Sequence, residues 1–288
     1  MQSLEPSRNI VKNKSNMVLG ISSFTYGWSA GVNGSHAHLT EHDLVAQTVA
    51  FGLKCLQLGD NFPLHKIPAE RLSSLATSIH DNGIRLEVGA RRLTEDHLHR
   101  YIEIAEYFKS PLLRFVVDGD NYEPDDKTIT SILRNALPDL KKQKITLGIE
   151  NHDRFRAKEL REIMDTISDD HIGICLDTVN SIGAGEGLHE VTEWLAPFTV
   201  NLHIKDFTIR RFAHNMGFTV TGTPAGKGML DLPFLMEKLE KFSNCQSAIL
   251  EQWVTPESKL EETIKKERQW ADESIRYLKD QIYFKTNT

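Results

Sequence analysis

The order of the sequence predicts an α/β protein, a single (β/α)₈ TIM barrel. Three observations lead there. Short Val/Ile/Leu-rich runs alternate with longer amphipathic segments from Met17 onward; the runs are eight in number; and they are apolar throughout rather than every second residue. Uniformly apolar strands are buried on both faces, which implies a parallel sheet covered by helices. An open doubly wound sheet would want a glycine-rich phosphate turn after an early strand, and neither GxGxxG nor a P-loop occurs.

The expected strands are Val18–Phe24, Lys54–Leu58, Arg85–Gly89, Leu112–Val117, Thr146–Glu150, Ile172–Asp177, Thr199–Lys205 and Ser247–Gln252. Between them, Asp43–Phe51 repeats apolar residues at helical spacing. Pro68–Asn82 opens on a proline suited to a first turn and stops at Asn82-Gly83. Thr94 caps Glu95–Phe108, and Asp125 or Asp126 caps the segment running to Lys142. Ala157–Ser168, Leu188–Ala196, Leu232–Phe242 and Leu260–Lys279 complete the eight helices.

At 288 residues, with 40% hydrophobic and 26% charged side chains, the chain fits one barrel domain with a large core. Met1–Asn16 is polar and reads as a tail, leaving 17–288 as the catalytic barrel; it lacks the apolar stretch of a secretory signal. No run suits a membrane span, so the expected address is the cytoplasm. The net charge of −6 argues against a nucleic-acid or anionic-membrane partner. Cys55, Cys175 and Cys245 have no metal or disulfide spacing and read as buried free thiols.

In such barrels the working residues lie at the C-terminal strand ends. Strand five ends LGIE at Glu150, strand six ICLD at Asp177, strand seven carries His203 in LHIKD, and strand eight ends ILE at Glu251. A lone acid at a strand end is usually a helix cap or an ion-pair partner. Four ligand types on four successive strands converge only if the barrel closes. Three carboxylates at one centre repel unless a cation neutralises them. The oxygen-rich set suits one divalent cation, Mn²⁺ ahead of Mg²⁺, Co²⁺ or Zn²⁺.

Several other residues reach the same face. Lys205 lies two residues beyond His203 and points the same way. Arg91, His152, His65 and Asn61 follow strand ends and are candidate substrate contacts; Trp28 and Tyr26 are candidates for an apolar wall. His97 and His99 lie on a helix and are expected to face solvent. Phe207–Leu230, with Arg210, Arg211 and Lys227, reads as a long loop able to act as a lid over an acidic substrate.

LGIEN (Leu147–Asn151), CLDT (Cys175–Thr178), LHIKD (Leu202–Asp206), GKGMLD (Gly226–Asp231) and ILEQW (Ile249–Trp253) resemble the xylose-isomerase-like superfamily of sugar phosphate isomerases and epimerases. That superfamily also holds inosose dehydratases, hydroxypyruvate isomerases and endonuclease IV nucleases. The resemblance implies metal ligation by Glu150, Asp177, His203 and Glu251, with Glu150 and Glu251 also moving the substrate proton. Many members carry a substrate-contacting His where this chain has Asn180.

The leading expectation is therefore an isomerase or epimerase of a small keto-sugar or polyol-derived ketone, acting through an enediolate that the cation stabilises. A lyase that decarboxylates or dehydrates a 3-oxo sugar acid or inosose is the alternative, since the same ligands serve both. A nuclease would need further His and acidic ligands on the first three strands, where only Asp60 is offered. A non-catalytic sugar-binding barrel would have little use for an intact quartet. The expected partner is a small carbohydrate, with a homo-oligomer possible.

Overall fold

The computed structural model describes residues 17–31, 39–281 and 284; the expected tail, Met1–Asn16, lies outside them. Eight parallel strands close into a barrel: β1 (Val18–Ser22), β2 (Cys55–Leu58), β3 (Arg85–Arg91), β4 (Leu112–Val116), β5 (Thr146–Glu150), β6 (Ile172–Asp177), β7 (Thr199–Ile204) and β10 (Ser247–Leu250). Around the ring β10 sits between β7 and β1, and the other neighbours follow chain order. The predicted (β/α)₈ barrel is the observed fold.

Local chemistry explains where the elements begin. Thr40 and Asp43 form a capping box, so α1 starts earlier than expected and spans Glu41–Ala50. Pro68 is the residue before α2 (Ala69–Asp81) rather than inside its first turn. Thr94 caps α3 (Glu95–Tyr107), and Asp125, not Asp126, caps α4 (Asp126–Gln143). The remaining helices are α5 (Ala157–Ile167), α6 (Leu188–Leu195), α7 (Leu232–Glu240) and α8 (Leu260–Lys279). None of the described helices is long and apolar enough to cross a membrane.

Two departures from the expected elements bear on the barrel mouth. β1 stops at Ser22 because its hydroxyl accepts from Phe24 N at 2.8 Å while Ser22 N donates to Thr25 Oγ1 at 2.9 Å, which folds Ser23–Tyr26 into a 3₁₀ turn. The long loop after strand seven is largely an antiparallel hairpin, β8 (Asp206–Arg211) with β9 (Phe218–Thr223). Its β-branched alternation, FTIRR against FTVTG, is a strand signal that falls outside the one β/α unit per repeat of the barrel. Asp206 closes this excursion. Its carboxylate accepts from the backbone N–H of Phe207, Gly226, Gly228 and Leu230. Gly226 has φ +82°, and a Cβ at Gly228 would collide with Asp206 Oδ1, so both glycines of GKG are required.

Candidate metal centre at the barrel mouth

Strand register brings the four expected ligands together. Asp177 is the register partner of His203, which in turn pairs with Ile249, two residues before Glu251; Glu150 pairs with Cys175 on the next strand. All four are buried, each 2% exposed or less. His203 Nδ1 lies 3.5 Å from Glu251 Oε2, 3.6 Å from Glu150 Oε2 and 3.8 Å from Asp177 Oδ2.

The other atoms of these side chains are tied down. Glu251 Oε1 accepts from Ser22 Oγ at 2.9 Å. Asp177 Oδ1 accepts from the backbone N–H of Val179 at 2.8 Å and Asn180 at 3.0 Å. His203 Nε2 lies 2.7 Å from Gln57 Oε1. Glu150 Oε1 accepts from Asn180 Nδ2 at 2.8 Å, and its Oε2 takes a very short bond from Arg114 Nε. What remains points to one place: Asp177 Oδ2, His203 Nδ1 and Glu251 Oε2 are buried, adjacent, and accept no hydrogen bond. Buried acceptors left open in this way cost stability, and a hard divalent cation satisfies all three at once with oxygen and imidazole ligands. The donor set therefore fits a divalent metal.

Lys205 is the nearest positive charge. Its Nζ lies 2.7 Å from Asp177 Oδ2 and 2.9 Å from Glu251 Oε2. At these distances the ammonium balances the charge of both carboxylates. Burial works against the Lys205 charge, but Asp177, Glu251 and Glu150 outweigh it and hold the ammonium well above its ordinary pKa. For Glu251, burial pushes upward and is overcome by His203, Lys205 and Arg114, leaving its carboxyl at about 2. Lys205 thus pairs with the quartet, and Asp206 serves the backbone instead.

Arg114, on β4, went unnoticed in the sequence. It is 3% exposed, and besides Glu150 it bonds Asp60 Oδ1 through Nη1 at 2.7 Å. The signal was present as an arginine in the middle of the apolar run LLRFV. A wholly buried arginine needs partners on every side, and inside a barrel those partners are at the mouth. The same reasoning applies to Glu87 and Gln57, both buried among apolar neighbours within β3 and β2.

The other expected contacts are dispersed. Arg91 is half exposed, 3.8 Å from Asp60 Oδ2, and donates through Nε to Asp118 O at 3.5 Å. His152 pairs with Asp153 at 2.8 Å. His65 Nδ1 lies 2.9 Å from Tyr101 OH, and its ring meets His97 edge-on. His97 therefore packs in an aromatic cluster with His65, Tyr101 and Phe115 rather than facing solvent; His99 is exposed as expected. Asn61 holds the first loop through Ser23, and Tyr26 is buried with its hydroxyl toward Gln47. Trp28 Nε1 donates to Val254 O at 2.8 Å. Arg211 covers the Phe218 ring and bonds Asn215 O, and neither Arg210 nor Lys227 has an ion pair to the quartet. The three cysteines are buried and free.

The profile described as "Xylose isomerase-like TIM barrel" matches residues 45–281. The chain belongs to this family. It is 31% identical over 262 residues to the 3-oxo-isoapionate decarboxylase of Pectobacterium atrosepticum, covering 91% of this chain and 95% of that one. Among solved structures, a xylose isomerase-like TIM barrel protein from Mycobacterium smegmatis in complex with magnesium superposes with a TM-score of 0.68 at 13% identity, over 91% of this chain and 98% of that one. D-psicose 3-epimerase in the presence of D-fructose gives 0.67 at 14%, over 91% and 97%. The probable 3-DHS dehydratase of Bacillus anthracis gives 0.65 at 12%, over 92% and 100%. At such identities the structural likenesses speak for the fold. Members of the family often use a divalent metal, and the chain is an enzyme of this family by its fold and its decarboxylase relative.

Proposed function

We propose that this protein is a divalent-metal-dependent lyase that decarboxylates a small 3-oxo sugar acid. The observation that carries this is how Glu150 and Lys205 sit. An epimerase needs two carboxylates free to move a proton on opposite faces of one carbon. Here both oxygens of Glu150 are already engaged, by Arg114 and Asn180, and Asn180, a candidate substrate contact, stands where many members of the family carry a His. Lys205 is meanwhile beside Asp177 and Glu251, where its ammonium is a fixed cation within reach of a substrate carboxylate and of the ketone oxygen next to it. The relative that decarboxylates a 3-oxo sugar acid supports the same reading.

Glu150, Asp177, His203 and Glu251 would hold the cation, with Mn²⁺ favoured and Mg²⁺, Co²⁺ or Zn²⁺ as substitutes. When bound, it supplies Lewis acidity toward the substrate's oxygens. Breaking the bond between the carboxyl carbon and its neighbour sends an electron pair into the 3-oxo group and releases CO₂. Lys205, held protonated by its neighbours, stabilises negative charge as it moves from carboxylate to ketone oxygen. Arg114, which uses Nε on Glu150 and Nη1 on Asp60, has in Nη2 a second donor for an anionic group. The carbanionic carbon then takes a proton from water.

Isomerase or epimerase chemistry on a keto-sugar is the second reading. It is favoured by the closeness of both Glu150 and Glu251 to His203, at 3.6 and 3.5 Å. Manganese-loaded protein in D₂O, given carboxyl-¹³C-labelled 3-oxo sugar acids and a panel of ketoses, separates the two. One deuterium incorporated per ¹³CO₂ released is expected. Deuterium entering ketoses, with no ¹³CO₂ from any acid, sinks the lyase reading.

A further inference from the structure

Beneath His203 the barrel interior holds a closed set of polar side chains with no place in the chemistry above. Gln57, Glu87, Asn201 and Ser247, from β2, β3, β7 and β10, are each 1% exposed or less. Gln57 Nε2 donates to Glu87 Oε2 and to Asn201 Oδ1, both at 3.1 Å. Asn201 Nδ2 donates to Ser247 Oγ at 2.8 Å, and its Oδ1 also accepts from Cys175 Sγ at 3.0 Å. Arg85 Nη2 lies 2.9 Å from the other oxygen of Glu87.

The direction of every bond in this set is forced. A carboxylate can only accept, so the amide nitrogen of Gln57 must face Glu87, and its carbonyl oxygen must face His203. Turning the amide over would set its oxygen against Glu87 and leave three buried groups mismatched. The atom 2.7 Å from Gln57 Oε1, His203 Nε2, must then be a donor. In a neutral imidazole that leaves the lone pair on Nδ1, the atom facing Asp177, Glu150 and Glu251.

We infer that Gln57, pinned by Glu87 and Asn201, is a positioning residue that fixes the tautomer and ring orientation of His203 and so sets the affinity of the mouth for its metal. This rests on the metal-centre reading and not on decarboxylation. The partner that orients a metal-binding imidazole is usually a carboxylate, backbone carbonyl or water. Here a neutral amide does it and passes the demand to Glu87, which keeps one negative charge away from a centre that already has three carboxylates.

Replacing Gln57 with Leu is expected to weaken Mn²⁺ binding, measured by titration calorimetry on the full chain, by about 10–100-fold. Gln57→Glu keeps an oxygen facing His203 Nε2 and, by sharing a proton with Glu87, one of the two donor contacts of the amide, and is expected to restore most of the loss. A purely space-filling role for Gln57 predicts no such rescue. Zinc-loaded protein with ¹⁵N-labelled histidine, His203 assigned through His203→Asn, should place the ring proton on Nε2. Unchanged Mn²⁺ affinity in Gln57→Leu, or a proton on Nδ1 in the parent protein, overturns the inference. If the leucine variant does not fold, the glutamate variant and the parent spectrum still decide. A parent protein that binds none of Mn²⁺, Mg²⁺ and Zn²⁺ counts against the metal centre itself, whatever the state of Gln57.

Discussion

The barrel divides into two arcs that do different things. One arc, β5–β6–β7–β10, contributes Glu150, Asp177, His203 and Glu251; the other, β4–β3–β2–β1, contributes none of the quartet. Yet three of the four are held by side chains of the other arc: Glu150 by Arg114 on the adjoining β4, Glu251 by Ser22 on the adjoining β1, and His203 by Gln57 on β2, across the barrel. Asp177 alone is held locally, by the backbone of its own loop. Glu150 and Asp177 end their strands and Glu251 follows its own directly, whereas Arg114 and Gln57 stand inside theirs. A polar residue at a strand end reads as a site, whereas one inside a strand reads as noise until the barrel closes round it.

If the first arc binds and the second only holds, substitutions should separate in kind and size. The largest effect is expected from Glu251→Gln or Asp177→Asn, which each remove an anionic ligand. Turnover and retained manganese, read by metal analysis after desalting, should both fall by more than about a hundredfold, since such ligation is worth several kcal/mol. Retention of metal by either variant would break the assignment of the ligand arc.

Arg114→Met comes next. It strands the buried Glu150 carboxylate, and urea unfolding of metal-free protein should lose about 3–5 kcal/mol. Saturating Mn²⁺ should recover part of that by neutralising the same group. A loss that is equal with and without metal would mean that Arg114 and the cation serve separate sites. Ser22→Ala should be milder, about 2 kcal/mol, because the lost bond is a single one to a charged group.

Acid unfolding tests the charge balance at Glu251. Its folded carboxyl is lowered to about 2 by His203, Lys205 and Arg114 against the push of burial. A depressed acid adds stability above its unfolded pKa of about 4.3 and gives it up as pH falls toward the folded value. The stability difference between parent and Glu251→Gln in metal-free protein should therefore be widest above pH ~4.3 and fade toward pH ~2. A difference that does not vary with pH would remove the carboxylate from the balance. The smallest expected effect is none. Cys175 lies beside Glu150 and His203, but burial first and Glu150 second push its thiol well above the ordinary range. Cobalt-loaded protein should then show no thiolate charge-transfer absorption in the near ultraviolet; a strong band would move Cys175 into the ligand set.

The contrast between the arcs also marks how much could be read before folding. All eight barrel strands, and the four side chains that meet at the mouth, followed from apolar runs and what ended them. The hairpin β8–β9 was hidden because its alternation fell where a loop was expected. The expectation of His65, His152 and Arg91 as substrate contacts drew only on position after a strand, and it did not foresee their neighbours outside the quartet: Tyr101, Asp153 and Asp60.

Local order along the chain determined the fold class and the convergence, because a run of apolar residues and its terminating acid are neighbours in sequence. The tertiary structure alone decided what holds that acid. Ser22 and Glu251, or Gln57 and His203, lie on strands far apart in the chain, and no periodicity encodes which inward-facing side chains share a layer. That pairing exists only once the strands close with a particular register, when burial makes every polar atom find a partner.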